Sequence, residues 1–212
     1  MALFVLRLYI VLPIFSRGKL PTSARRKGKS ARLPTDKKLC IILGSGGHTA
    51  EMARLLQGVD FDRYSQRLYI VGESDLLSLN QIGTLEAKRD HMVEEYMVSR
   101  IPRSREVGQS WSSSVFSSLS CLFSVCQTLF HHKPDIILCN GPGNCVIVCA
   151  VALIPKFIGL KHIPIIYVES FARVQSLSLS GKLLYFMADR FVVQWPGLLR
   201  KYPTAEFIPH LV

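Results

Sequence analysis

The chain has 212 residues, with 26 lysines and arginines against 15 aspartates and glutamates and a formal net charge of +11. That length suits one domain with a sizeable core plus a tail. Residues 1–38 hold ten lysines and arginines against Asp36 alone, so the remaining 174 residues carry 16 basic and 14 acidic side chains. A nucleic-acid face has to be built on the domain itself, and this division assigns the excess charge to the tail.

Residues 2–15, ALFVLRLYIVLPIF, form an apolar run broken by Arg7 and Pro13, shorter than the roughly 20 residues that span a bilayer. Arg17, Lys19, Arg25, Arg26, Lys27, Lys29 and Arg32 follow at once. An apolar amino terminus with a cationic flank inserts with that flank in the cytosol, and the same cations attract anionic lipid. Residues 1–16 are therefore expected to be an apolar membrane-anchor segment, 17–37 a basic disordered linker and 38–212 the domain. A mitochondrial presequence competes, because residues 17–38 are rich in arginine and poor in acid. A cleaved secretory signal lacks both its charged start and its small-residue cleavage site.

From Lys37 onward, short β-branched runs alternate with helical patterns, which predicts repeated βα units and a parallel α/β sheet. Strands are expected at Leu39–Leu43, Arg67–Val71, Glu95–Ile101, Asp135–Cys139, Ile163–Val168, Phe191–Gln194 and, weakly, Glu206–Ile208. Helices are expected at His48–Gln57, Ser74–Asp90, Ser112–Phe130, Gly143–Phe157, Gly181–Met187 and Leu198–Lys201. The apolar run Val146–Leu160 contains Pro155 and Lys156, which favours a buried crossover helix over a membrane span. In Ser112–Phe130, a stripe of Val115, Phe116, Leu119, Leu122, Phe123, Cys126 and Phe130 packs into the core or touches a lipid surface. The six cysteines, Cys40, Cys121, Cys126, Cys139, Cys145 and Cys149, show no CxxC spacing. They read as reduced, buried thiols of a reducing compartment such as the cytosol.

Ligands of open parallel sheets bind outside the carboxyl ends of the strands, and three loops there bear on chemistry. Gly44, Ser45, Gly46, Gly47, His48 and Thr49 follow the first strand; the glycines permit close backbone approach, and the helix start offers N–H groups to an anion. The loop lacks the GK[ST] ending of a Walker loop, and Thr49 stands where a dinucleotide fingerprint has its third glycine. Glu73, at the end of the second strand, keeps a nicotinamide-dinucleotide reading open. The second loop, Asn140, Gly141, Pro142, Gly143 and Asn144, opens another helix, so two glycine turns can grip two phosphates. In the third, Glu169 to Arg173, a carboxylate and a guanidinium suit sugar hydroxyls and phosphate. Arg103 and Arg105, after the third strand, are candidate diphosphate clamps. Asp60-Phe61-Asp62 resembles a metal-binding DxD but follows the first helix, on the opposite rim, and is expected to be a turn.

The blocks GSGGHTAEM (44–52), IPRSREV (101–107), CNGPGNC (139–145), YVESFARV (167–174), LSLSGKLLY (177–185) and FVVQWP (191–196) occur in this order. In them the chain resembles the asparagine-linked glycosylation protein 14 family, the membrane-anchoring subunit of the two-subunit N-acetylglucosaminyltransferase of the dolichol pathway. The resemblance implies a Rossmann-like domain equivalent to the amino-terminal half of a GT-B glycosyltransferase, similar to the bacterial transferase that builds the lipid-linked peptidoglycan precursor. It implies that this half holds N-acetylglucosaminyl-diphospho-dolichol, while a separate catalytic subunit holds UDP-N-acetylglucosamine. It implies transfer of the second N-acetylglucosamine on the cytosolic face of the endoplasmic reticulum; no cofactor is expected, and the charge division and cysteine spacing give no reason to expect nucleic acid or a metal. By the same resemblance His48 is the candidate base or acceptor orienter, and Glu169 the acid that holds the acceptor sugar. A helix-rich carboxyl end, Phe191 to Val212, is expected to meet the partner. A purely structural anchor that leaves all chemistry to its partner stands as the alternative.

Overall fold

The structure is a computed structural model that describes residues 2–15, 37–87, 96–102, 111–141, 143–209 and 211. Seven strands are found among them: β1 (Lys38–Ile42), β2 (Gln66–Gly72), β3 (Tyr96–Ile101), β4 (Ile136–Cys139), β5 (Ile165–Val168), β6 (Arg190–Val193) and β7 (Glu206–Phe207). Every pairing is parallel, and the order is β3-β2-β1-β4-β5-β6-β7. The helices are α1 (Ala2–Val11), α2 (Gly47–Gln57), α3 (Leu76–Ala87), α4 (Trp111–His132), α5 (Gly143–Ile158) and α6 (Leu179–Met187).

The two-residue period of the strands divides the core in two. Leu39, Ile41, Tyr69, Val71, Leu138, Val168 and Val192 pack with Met52 and Leu56 of α2 and Ile82 of α3. Their neighbours Cys40, Ile42, Leu68, Ile70, Ile137, Cys139, Ile165, Tyr167, Phe191 and Val193 face the layer of α4, α5 and α6. Burial on both faces is what the apolar strand sequences require of a parallel sheet. The order runs one way from β1 through β2 to β3 and the other way from β4 onward. A crevice therefore opens where the connections diverge, at the carboxyl ends of β1 and β4.

The crossover helix expected near 146–160 is α5, with Cys145, Val148, Cys149, Val151, Ala152 and Leu153 buried. Asp60 and Asp62 lie in the irregular turn between α2 and β2. All six cysteines are free thiols. Burial pushes the Cys121 thiol up to about 11 and raises Cys40 and Cys139 as well, which keeps them protonated and unreactive.

Two expectations need correction, and the amino-terminal segment has a further attachment. The side of α4 that enters the core is Cys121, Val125 and Leu129, whereas Leu119, Leu122, Phe123 and Phe130 are exposed. Apolar residues surround most of this helix, so periodicity alone does not choose the inward face. The carboxyl end is not helix-rich: after β6 it holds a 3-10 turn at Pro196–Arg200 and the short edge strand β7. The amino-terminal run is a helix docked on the domain. Val11 and Pro13 are buried, and the Arg7 guanidinium donates from Nε to the Phe157 carbonyl at 2.7 Å and from a terminal nitrogen to Lys156 at 3.4 Å. Those are carbonyls of the last turn of α5, the negative end of its dipole, where the Lys156 carbonyl also accepts from the Gly159 N–H at 3.2 Å.

Arg7→Ala is expected to destabilise this docking by about 1 kcal/mol. Hydrogen exchange would show it as faster exchange of the α1 amides, with the β1 amides of Cys40 to Ile42 unchanged.

Candidate functional site

The crevice between β1 and β4 is floored by both glycine loops. Gly46 has φ of +64° and caps α2 without a side chain; Ser45, Gly46 and Gly47 are exposed, while Gly44 is buried. The left-handed backbone at Gly46 turns the strand into α2 and directs that helix's first N–H groups to the rim. Thr49 is turned inward. It is 1% exposed, and its hydroxyl bonds to the Gly44 carbonyl and, at 2.6 Å, to Ser78 of α3. The single Ser78 hydroxyl proton has Asp75 at 2.7 Å as its nearer acceptor, with the Gly44 carbonyl 3.2 Å away. This set shapes the loop from below, so the Thr49 hydroxyl serves the loop and not a ligand.

Gly141 has φ of +94°, and a Cβ there would lie 2.3 Å from Nδ1 of His48. Only glycine meets both conditions, and its presence lets the end of β4 lie flat against the imidazole. His48 is half-buried, its Nδ1 is 3.1 Å from Oδ1 of Asn140, and Asn140 is fully buried. Asn140 donates from Nδ2 to Glu51 at 2.9 Å, and the Ser170 hydroxyl donates to the other Glu51 oxygen at 2.8 Å. Four side chains thus join the ends of β1, β4 and β5. Gly143 and Asn144 open α5 beside them, with Gly143 exposed and Asn144 half-buried.

Glu169 sits differently from the position that a sugar-binding acid requires. The residue is 1% exposed. One oxygen accepts from the Ser170 N–H at 3.1 Å and Tyr167 at 3.3 Å, and the other from the Ser178 N–H at 3.1 Å and hydroxyl at 3.2 Å. Ser178 is also the cap of α6, accepting from the Gly181 N–H at 2.8 Å. A Cβ on Gly181 would stand 1.9 Å from the Glu169 carboxylate. In this arrangement the carboxylate braces the third loop against α6, with its hydrogen-bonding capacity filled from within. Burial raises its pKa despite the opposing hydrogen bonds from Ser178, Ser170 and Tyr167.

Arg173 is exposed at the tip of that loop. Its neighbour Phe171 stacks on Trp195 at 4.9 Å, and the Trp195 indole donates to the Phe171 carbonyl at 2.7 Å. Gln194, at the end of β6, donates to the Glu169 carbonyl at 3.1 Å, while its own side-chain oxygen is buried with no partner among the described residues. Arg103 and Arg105 lie outside the described residues. Sequence reasoning missed Glu51, although its spacing of three from His48 on one helix puts the two on one face.

The chain has recognisable relatives. The family described as "oligosaccharide biosynthesis protein Alg14 like" matches residues 39–211. The UDP-N-acetylglucosamine transferase subunit ALG14 of Rattus norvegicus is 48% identical over 179 residues, 82% of each chain. That of Homo sapiens is 44% identical with the same coverage. Among solved structures, MurG of Acinetobacter baumannii superposes with a TM-score of 0.55 at 13% identity, over 76% of this chain and 42% of its own. The chain thus spans less than half of that structure, and the likeness shows the Rossmann-like fold of one GT-B half.

Because Glu169 holds its proton more tightly when folded than the ordinary value of 4.5 implies, its contribution to stability is largest below that value. The contribution is lost as pH rises through the raised pKa. Glu169→Gln removes the titration. The stability advantage of the wild type over this variant, measured by urea unfolding, is therefore expected to shrink as pH rises above 4.5 and through the raised pKa; a gap that widens with pH contradicts the assignment.

Proposed function

The chain belongs to the Alg14 family of oligosaccharide-biosynthesis proteins, and from that footing we propose that it is the acceptor-binding subunit of a two-chain N-acetylglucosaminyltransferase. It adds the second N-acetylglucosamine to N-acetylglucosaminyl-diphospho-dolichol at the cytosolic face of the endoplasmic reticulum. A separate subunit carries UDP-N-acetylglucosamine. The observation that supports this reading best is the His48 ring, held by Gly141 and Asn140 at the crevice beside two glycine loops.

In this reading the loops at Gly44–Gly47 and Gly141–Asn144 hold the acceptor diphosphate through backbone N–H groups. The acceptor hydroxyl loses its proton to Nε2 of His48 as its oxygen bonds to the anomeric carbon of the donor sugar. The bond from that carbon to the UDP diphosphate breaks, and its electron pair leaves with the diphosphate. Glu169 contributes by bracing the third loop, and direct contact with the acceptor sugar is not assigned to it. This lobe supplies one wall of such a site, and the partner subunit supplies the wall that holds the donor.

Recruitment to the membrane is the second part of the proposal. A helix of ten residues covers about 15 Å, half of a hydrocarbon core of about 30 Å. Among the described residues no helix is long and apolar enough to cross a membrane. α1 instead lies on the domain and exposes Val5, Leu6, Tyr9 and Ile10. Beside the same end of α5, a groove of about 530 Å³ is lined by Phe130, Ile154 and Leu160, with Lys133 and Lys161 at its edge. Apolar surface next to cations suits an anionic lipid face, and the seven cations of residues 17–32 follow α1 directly.

The full chain expressed in membranes is expected to co-purify with a UDP-sugar-binding subunit. With that subunit still bound, His48→Ala is expected to lower transferase activity by about 100-fold or more. Full activity in the variant leaves the chain a structural anchor only, and the absence of any such partner ends the half-enzyme reading.

A further inference from the structure

The polar chain that joins the three loops has a direction, and that direction determines which nitrogen of His48 carries a proton. An ionised carboxylate offers lone pairs and no proton. Both oxygens of Glu51 receive donors, Nδ2 of Asn140 at 2.9 Å and the Ser170 hydroxyl at 2.8 Å. The Ser170 oxygen accepts in turn from the Ala172 N–H at 3.3 Å. Donors therefore converge on Glu51 from both sides.

The consequence passes through Asn140. With its NH₂ committed to Glu51, Asn140 shows its carbonyl oxygen to the imidazole at 3.1 Å, and a carbonyl only accepts. Nδ1 must then be the donor. A neutral imidazole has one N–H, so Nε2 keeps its lone pair, and it meets no hydrogen-bond partner among the described residues. The opposite tautomer sets two lone pairs against each other at His48. Turning the Asn140 amide over to relieve that moves the same conflict to Glu51, in a place where Asn140 is fully buried. Gly141 closes the remaining escape, because its Cα packs against the ring and holds it in register with Asn140.

We propose that Glu51, acting through Asn140, is a positioning residue that fixes His48 as its Nδ1–H tautomer and leaves Nε2 as the proton acceptor at the rim. Its catalytic meaning rests on the function proposed above; the tautomer itself does not. When Nε2 takes a proton, the resulting imidazolium keeps its Nδ1–H bond to Asn140, so the network needs no rearrangement during the step.

Two measurements separate these levels. Long-range ¹⁵N–¹H correlation spectra of the full chain, labelled at histidine and recorded at a pH where the imidazoles are neutral, report the tautomer directly, with His48→Gln identifying the signal. The wild type is expected to show the Nδ1–H pattern. Glu51→Gln, which can still accept from Asn140, is expected to keep it, and Glu51→Leu is expected to shift the population toward Nε2–H. A wild type in the Nε2–H form overturns the inference, as does a Glu51→Leu variant with the wild-type pattern; the wild-type spectrum decides even if that variant does not fold. With the partner subunit present, Glu51→Leu is expected to lower kcat by about tenfold or more with KM little changed, and Glu51→Gln to restore most of it. A shifted tautomer with undiminished kcat leaves the inference standing and removes His48 from the reaction.

Discussion

The hydrogen atom that Gly141 carries in place of a side chain sets how closely the ends of β1 and β4 can approach. A Cβ there would overlap the His48 ring at 2.3 Å, and the φ of +94° is strained for any other residue. The rest of the crevice follows from that contact. The ring lies flat on the strand end, Asn140 comes within 3.1 Å of it, and Glu51, one helical turn beyond His48, reaches both Asn140 and Ser170. A buried polar chain of this kind is favourable only when every member is paired, which makes three loops from distant parts of the chain rise or fall together.

Much of this was legible in the amino-acid order. The alternation of Leu39 and Ile41 with Cys40 and Ile42 already implies a strand with two buried faces, and the two helical faces of the core bear it out. Glycine loops at two strand ends implied a crevice, and the strand order puts both at its point of reversal. What was not legible depends on distance along the chain. Glu51 looks like any acid on a helix until residues 89 and 119 positions later fold against it. Glu169 looks like a ligand-binding acid because its strand-end position suits one, yet Tyr167 and Ser178 claim its carboxylate. Arg67 belongs to a strand, and nothing local announces that it is buried in a paired contact with Glu86 of α3.

The amino terminus illustrates the same limit. Its hydropathy suggests an anchor, and one arginine inside an apolar run looks like an interruption. In the fold, Arg7 is the attachment, because its guanidinium donates to carbonyls at the negative end of α5. Docking through Arg7 turns α1 into part of the helical layer and leaves its other side apolar and exposed. A wired crevice on one rim and an apolar face on the helical layer suit the acceptor-binding role proposed above.

The central claim is that this lobe holds the acceptor and leaves the donor nucleotide to another chain. Its most direct measurement is a titration of the full chain alone, followed by the backbone amide resonances of Gly44 to Gly47 and Gly141. A short-chain, lipid-linked N-acetylglucosaminyl diphosphate is expected to shift these resonances in a saturable way, while UDP-N-acetylglucosamine leaves them unmoved. Saturable shifts with the nucleotide sugar and none with the lipid diphosphate would contradict the account.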